Sequence, residues 1–215
     1  MNSDLSNYRK VYLKGELEKA NVPKAPIDLF QQWFQEAESS ETDSETNAMN
    51  IASIGLDGYP KSRIVLLKRF TEEGFIFYTN YNSEKGKSIN NNPLVCASFF
   101  WEQQERQIII KGKAEKIDEK ISDEYFQSRP EGSKLGAWAS NQSEVVNNKE
   151  VLNEQLASFT KKFKNKDIAR PKHWGGYMIK PISIEFWQGR PNRMHDRIRY
   201  TLLENMEWKI ERLAP

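Results

Sequence analysis

The chain has 215 residues, with 32 Lys plus Arg against 30 Asp plus Glu and a formal net charge of +2, so neither nucleic acid nor an anionic membrane is called for as a partner and any basic site must be local. A hydrophobic content of 38%, a charged content of 29% and an aromatic content of 12% exclude a disordered chain and describe a globular one. The length suits one domain, residues 1–215, carrying helical additions better than it suits two.

In chain order, residues 1–20 are polar and read as a mobile start. Met1 to Tyr12 lacks an apolar core with a cleavage site, and no stretch approaches the roughly 20 apolar residues of a membrane span, so a cytoplasmic protein is expected. Pro26 to Ala37 places Ile27, Leu29, Phe30, Trp33, Phe34 and Ala37 at helical spacing, with Pro26 suited to a first turn. Ser39 to Thr46 is acidic and rich in Ser and Thr, the composition of a loop. Ala48 to Leu56 and Lys61 to Phe70 flank Asp57-Gly58, a strong hairpin signal, and Phe75 to Thr79 follows a Glu-Glu-Gly turn. Ser83 to Lys87 opens a helix. Leu94 to Trp101 and Arg106 to Ile117 bracket a second turn at Glu102 to Glu105. Cys96 lies in the first of these strands and is expected as a small buried hydrophobe, and the unalternating run Ile108-Ile109-Ile110 implies burial on both faces. Helices follow at Asp118 to Ser128 and Lys149 to Phe163, then strands at Gly176 to Trp187, Arg193 to Leu202 and Glu207 to Arg212.

Antiparallel strands joined by hairpins, with peripheral helices, predict a mainly β, α+β fold built on a small barrel rather than a parallel α/β sheet. No glycine-rich dinucleotide fingerprint follows a strand, and Gly86-Lys87-Ser88 lacks the first glycine and strand context of a phosphate loop. Two distant histidines, His173 and His195, and one cysteine leave too few soft ligands for structural zinc, so no metal is expected; His173 reads as a loop residue.

Four clusters carry chemistry. In Trp187 to Arg197, a strand would place Arg193, His195 and Arg197 on one face, with Met194 and Asp196 on the other. Such a wall suits an anionic, planar ligand, the alternative being a solvated edge strand. In Arg63 to Lys68, two cations bracket four apolar residues, Ile64, Val65, Leu66 and Leu67, at the ends of a buried segment where an anion can meet them without competing water; the alternative is cations that simply snorkel. Tyr78, Thr79 and Lys85 gather hydroxyls and a cation near a helix start, which favours phosphate. Tyr125, Arg129 and Ser133 are four apart and would share a helical face if Pro130 allowed it, and Gln142-Ser143 follows.

Six motifs in order, Arg-Ile-Val-Leu-Leu-Lys at Arg63 to Lys68, Phe-Tyr-Thr-Asn at Phe77 to Asn80, Glu-Arg-Gln at Glu105 to Gln107, Tyr125 to Pro130, Gly136 to Ser143 and Glu185 to Arg197, resemble the pyridoxine 5'-phosphate oxidase family. The resemblance runs from about Tyr8 to Pro215 and implies a homodimeric split β-barrel with FMN at the subunit interface. It implies oxidation of pyridoxine 5'-phosphate or pyridoxamine 5'-phosphate to pyridoxal 5'-phosphate by O2, releasing hydrogen peroxide, and ammonia from the amine, in vitamin B6 salvage. The implied FMN contacts are Arg63, Ile64, Val65, Leu66, Leu67, Lys68, Tyr78, Thr79, Lys85, Gln107, Gln142, Ser143, Trp187 and Arg197. Implied substrate contacts are Lys68, Tyr125, Arg129 and Ser133 for the phosphate and Arg193, Met194 and His195 for the ring, with Arg193 and His195 as the catalytic pair. Arg9 and Tyr12 match lid positions in part.

Two departures stand out: Glu84 occupies a position that is often basic in the family and is left outside the site, and Met194 replaces a more usual Leu at similar volume. Competing readings are another split-barrel flavoprotein such as a flavin reductase, a B6-vitamer binder without oxidase activity, or a barrel that grips single-stranded nucleic acid by charge and stacking.

Overall fold

In the computed structural model, which describes residues 3–40 and 45–215, the chain runs through α1 (Pro26–Glu38), β1 (Ala48–Ile54), β2 (Pro60–Thr71), β3 (Gly74–Asn80), α2 (Glu84–Asn91), β4 (Leu94–Trp101), β5 (Arg106–Lys116), α3 (Glu119–Ser128), α4 (Glu131–Ala139), α5 (Lys149–Phe163), β6 (Trp174–Gln188), β7 (Asp196–Leu202) and β8 (Trp208–Leu213). Strand order is β3-β2-β1-β4-β5-β6-β7-β8, and β3 also pairs antiparallel with β6, closing the first six strands into a barrel. The expected α+β barrel is what forms. Positions 41–44 of the predicted loop lie outside the described residues.

The chain divides into two compact units, one of Met1–Thr46, Ser98–Lys111 and Pro181–Pro215, the other of Asn47–Ala97 and Gly112–Lys180, so β4, β5 and β6 contribute residues to both. In the second unit, β1 and β2 pair from Ala48↔Leu66 to Ile54↔Pro60 around the Asp57-Gly58 turn, where Gly58 takes φ 82°. β2 alternates: Val65 and Leu67 point into the core, whereas Ile64 is 69% exposed and Leu66 half-buried. The segment between Arg63 and Lys68 is therefore not buried throughout. A two-residue period gives only every second apolar side chain to the barrel interior. Phe77 and Tyr177 sit directly opposite on β3 and β6 with rings 5.8 Å apart, one of the cross-strand pairs that fix this register.

In the first unit, α1 turns Leu29, Phe30, Trp33 and Ala37 inward. Phe30 meets Phe99 at 5.3 Å and Trp33 meets Phe186 edge-on at 5.2 Å. Side chains of this size each contribute roughly 1.5–3 kcal/mol when fully buried, so the apolar stripe rather than helix propensity holds α1 in place. Ile108 and Ile110 are fully buried but Ile109 only partly, and Cys96 is half-buried between the inward Val95 and Ala97. Both correct the sequence expectation, because each strand has a single core-facing side.

The segment before α1 is tied down at several points. Glu105, only 2% exposed and in a left-handed backbone conformation (φ 54°), accepts the N–H groups of Leu13 at 2.7 Å and Lys14 at 2.9 Å. Asp196 accepts the N–H of Leu17 at 3.1 Å and a guanidinium N–H of Arg212 at 2.7 Å. Glu105→Asn keeps a residue tolerant of the left-handed conformation but is too short to reach the strap. Leaving two N–H groups without their acceptor should cost about 2 kcal/mol. In a chain of this length that lowers Tm by roughly 4–8 °C. Tryptic cleavage at Lys10 or Lys14 should accelerate in parallel; an unchanged digestion rate would show that this carboxylate does not hold the strap.

Candidate active site

The second unit carries a cavity of about 650 Å³ lined on one side by Ile64, Val65, Leu66 and Lys68 of β2 and by Tyr78, Thr79 and Asn80 at the end of β3. Lys85, Tyr125, Arg129, Pro130, Ser133, Gln142 and Trp174 complete much of the remaining wall. The outward face of β2 supplies the apolar floor, which is why Ile64 stays exposed. Leu67 points into the barrel core and does not line it.

Pro130 ends α3 as its ring chemistry requires, so Tyr125, Arg129 and Ser133 do not share one helical face. Arg129 is extended (φ −74°, ψ 150°) and α4 begins at Glu131, yet all three residues reach the same cavity from the two helices. The guanidinium carbon of Arg129 lies 4.5 Å from the centre of the Trp174 ring, and its Nη1 is buried with no hydrogen-bond partner. Burial also lowers the pKa of this guanidinium from its ordinary value, although the group remains charged at neutral pH. A half-buried charge with a buried, idle donor marks a place suited to an anion. Tyr78 and Tyr125 stack at 3.9 Å, and burial raises both phenolic pKa values, so both stay protonated hydroxyl donors at neutral pH.

At the other end, Lys85 donates to Thr79 Oγ1 at 3.0 Å and lies 3.5 Å from Gln142 Oε1. Burial, reinforced by the nearby Arg63, holds the Lys85 ammonium below the usual lysine range. Ser83 caps α2 by accepting the Gly86 N–H at 3.2 Å, and Gly86-Lys87-Ser88 is ordinary helix. Glu84 accepts from Lys61 at 2.5 Å and also pairs with Arg63, and Lys61 meets Asp57 at 2.8 Å. Hydrogen bonding by Lys61 pulls the Glu84 pKa down. The Glu84 carboxylate is thus neutralised by two cations, and Lys61, which sequence reasoning passed over, stands beside Arg63. Ser143 lies in the loop after α4 with φ 76° and borders smaller clefts rather than the main cavity.

In the first unit, Trp187, His195 and Tyr12 form an aromatic group, with Trp187 and His195 centroids 4.7 Å apart and Tyr12 5.7 Å and 5.8 Å from them. Gly189 permits it: a Cβ there would come within 2.7 Å of the Tyr12 ring. The Arg190 N–H donates to His195 Nδ1 at 3.1 Å, which leaves Nε2 as the nitrogen that carries the proton in the neutral ring. Arg197 donates to Glu185 at 2.8 Å and to the Ala214 carbonyl at 2.8 Å.

Arg193, His195 and Arg197 do not form one strand face. β7 starts only at Asp196, and Pro191–Arg193 is a tight turn in which Asn192 and Arg193 take φ 56° and 60°. The fixed φ of Pro191 starts the turn and Asn tolerates the left-handed region, whereas Arg193 is held there at a strain of about 1–2 kcal/mol. Arg193 and Met194 are exposed. Gln107 is half-buried on β5, and Arg9 and Tyr12 border an open cleft of about 790 Å³ with Phe100 and Glu102. His173 is in a loop but half-buried, with Nε2 3.1 Å from the Ala137 carbonyl oxygen. Trp174 is the residue sequence reasoning missed at this site; its only signal is an aromatic residue before Gly175-Gly176.

A closed antiparallel barrel with helices packed around an anion-seeking cavity defines the split-barrel class. PhzG from Burkholderia lata, solved in complex with tetrahydrophenazine-1-carboxylic acid, superimposes at TM-score 0.85 with 28% identity, covering 91% of this chain and 95% of that one. An FMN-binding protein related to pyridoxamine 5'-phosphate oxidase, from Nostoc punctiforme, shares the fold at TM-score 0.69 and 14% identity, over 90% of this chain and all of its own. The family models for pyridoxamine 5'-phosphate oxidase and for the pyridoxine 5'-phosphate oxidase C-terminal dimerisation region match residues 36–161 and 174–215. Pyridoxine/pyridoxamine 5'-phosphate oxidases of Flavobacterium psychrophilum and Christiangramia forsetii are 61% and 51% identical to the chain, over 99% and 100% of both partners. The chain belongs to the pyridoxine/pyridoxamine 5'-phosphate oxidase family and is an oxidoreductase. No helix among the described residues is long and apolar enough to cross a membrane.

Proposed function

We propose that this protein is an FMN-dependent oxidase that converts pyridoxine 5'-phosphate or pyridoxamine 5'-phosphate to pyridoxal 5'-phosphate with O2 as acceptor, working as a cytoplasmic homodimer in vitamin B6 salvage. The observation that carries this reading is the buried, partnerless Nη1 of Arg129 inside a cavity that also presents Lys68, Tyr125 and Ser133. Those groups fit a phosphate monoester: one fixed cation with a fork of donors, one ammonium and two hydroxyls. The same cavity offers a second polar end at Thr79, Lys85 and Gln142, with Arg63 tied to Glu84 beside them, which suits the phosphate and polar ring edge of FMN. Ile64, Val65, Leu66 and Tyr78 give the apolar walls a flat ring needs. Gln107, Ser143, Trp187 and Arg197 are further FMN contacts in this reading.

Bound FMN would supply the redox chemistry, accepting hydride from the 4' carbon of the substrate and passing electrons to O2 with release of hydrogen peroxide. The protein's own part is to bind, orient and keep water out. Arg193 and His195 hold the pyridine ring, His195 through its protonated Nε2 and Arg193 as a permanent cation, with Met194 beside them. Tyr12 packs on His195, and Arg9 belongs to the same strap, so ordering of that strap and of the ring-binding pair are linked.

Lys85 gives a pH test. Its pKa is lowered, so the ammonium loses its proton below the usual lysine value as pH rises. Affinity for an anionic ligand at Lys85 is then greatest while the ammonium keeps its proton and falls as pH climbs through the depressed value. Fluorescence titration of FMN between pH 7 and 10 should show that fall, and Lys85→Arg should abolish it, because guanidinium stays charged throughout. A flat profile in the wild type would remove Lys85 from the FMN phosphate site.

A further inference from the structure

Resting on the proposed phosphate site, we infer that Trp174 is a positioning residue for Arg129, and that its indole face, fixed by Arg170, aims the idle donor of Arg129 at the substrate phosphate. Trp174 is 8% exposed, opens β6 and pairs with Asn80 of β3, so the barrel fixes its backbone. Arg170 bolts the same point from outside the cavity: its Nη1 donates to the Trp174 carbonyl at 2.7 Å and its Nε to Asp123 of α3 at 2.6 Å. The indole plane lies within 9° of the Tyr78 ring and 7° of the Tyr125 ring, so Trp174 stands nearly parallel to the stacked tyrosine pair at centroid distances of 5.5 Å and 6.2 Å.

Arg129 lies over the indole with its guanidinium carbon 4.5 Å from the indole centre, and the Phe126 ring lies 5.5 Å away. A guanidinium on a π-face gives up few of its in-plane N–H donors, since the face engages the cation and leaves the edge free. This accounts for a half-buried arginine whose buried Nη1 is unpaired: the aromatic face stabilises the charge while the edge is kept open for an anion. A carboxylate support would hold the charge equally well but would occupy the fork. Trp174 therefore affects phosphate recognition through Arg129 and not by touching phosphate itself.

The test uses FMN-loaded protein and four variants, Trp174→Leu, Trp174→Phe, Arg170→Ala and Arg129→Ala, with the double variant Trp174→Leu/Arg129→Ala. Trp174→Leu should raise KM for pyridoxine 5'-phosphate and the inhibition constant of inorganic phosphate together, by about tenfold, the scale of a desolvated cation–π contact. Trp174→Phe, which keeps a face, should stay within about threefold of wild type. Arg170→Ala should reproduce part of the Leu effect from outside the cavity, and it supplies the reading if Trp174→Leu does not fold. In the Arg129→Ala background, Trp174→Leu should add nothing, because the two residues act as one unit. Additive losses, equal effects of Leu and Phe, or phosphate recognition untouched by both Trp174→Leu and Arg170→Ala would overturn the inference while leaving the phosphate site standing. An Arg129→Ala enzyme with unchanged phosphate recognition would overturn both.

Discussion

Arg129→Ala should lower kcat/KM for pyridoxine 5'-phosphate by roughly 100-fold, the equivalent of ~2.7 kcal/mol from one or two charge-assisted hydrogen bonds. The guanidinium is half-buried, lies over Trp174 and carries a buried Nη1 donor without a partner, so the free protein has already met part of the desolvation cost that phosphate binding then offsets. Arg129→Lys should recover only part of the loss, since an ammonium keeps the charge but not the planar fork or the stacking surface. FMN should remain bound in both variants. Steady-state kinetics with flavin quantified on the purified protein separates the possibilities: loss of FMN in step with activity would place Arg129 on the cofactor and not on the substrate.

Arg193→Ala should have the largest effect on turnover, a fall in kcat of about 10²–10³, the range seen when one fixed donor at a reacting centre is removed. Its backbone is held left-handed in a turn closed by the Met194 N–H donating to the Pro191 carbonyl at 3.1 Å. A long β-carbon-bearing side chain in that conformation signals a position set by something other than local preference. Stopped-flow reduction of the flavin would show the loss in the chemical step, with the dissociation constant of FMN changed by less than about threefold. If FMN retention and turnover fell together, or neither fell, the division between ring-binding and flavin-binding groups would be wrong.

Most of the barrel was legible because its signals are local. Asp57-Gly58 demanded a hairpin and received one, and the spacing of Leu29, Phe30, Trp33 and Ala37 marked the α1 face that packs inward. Burial was read less well at Ile109 and Ile64, since an unbroken apolar run does not say which residues face a barrel interior and which face a cavity floor. Tyr125, Arg129 and Ser133 do line one cavity, but not for the reason the spacing offered. A continuous helix would have aligned them; instead the extended Arg129 and the new start at Glu131 bring them to one cavity.

The row of Arg193, His195 and Arg197 failed as a strand because left-handed φ at Asn192 and Arg193 cannot be read from residue types beyond the hint of Pro-Asn. The partners of Glu84 were not legible for a different reason: its neighbours in sequence do not include Lys61 and Arg63, which reach it from β2. Trp174 was missed because support by an aromatic face has no sequence motif. Long-range partners of this kind become visible only when the sheet register is known.

Anaerobic addition of pyridoxine 5'-phosphate to the purified, FMN-loaded protein decides whether it oxidises this substrate through FMN. The protein should be yellow, its flavin absorbance should bleach on mixing and return when air is admitted, and pyridoxal 5'-phosphate should form in the amount of flavin reduced. A colourless protein that FMN does not reconstitute, or bound FMN that pyridoxine 5'-phosphate and pyridoxamine 5'-phosphate both leave oxidised, would contradict it.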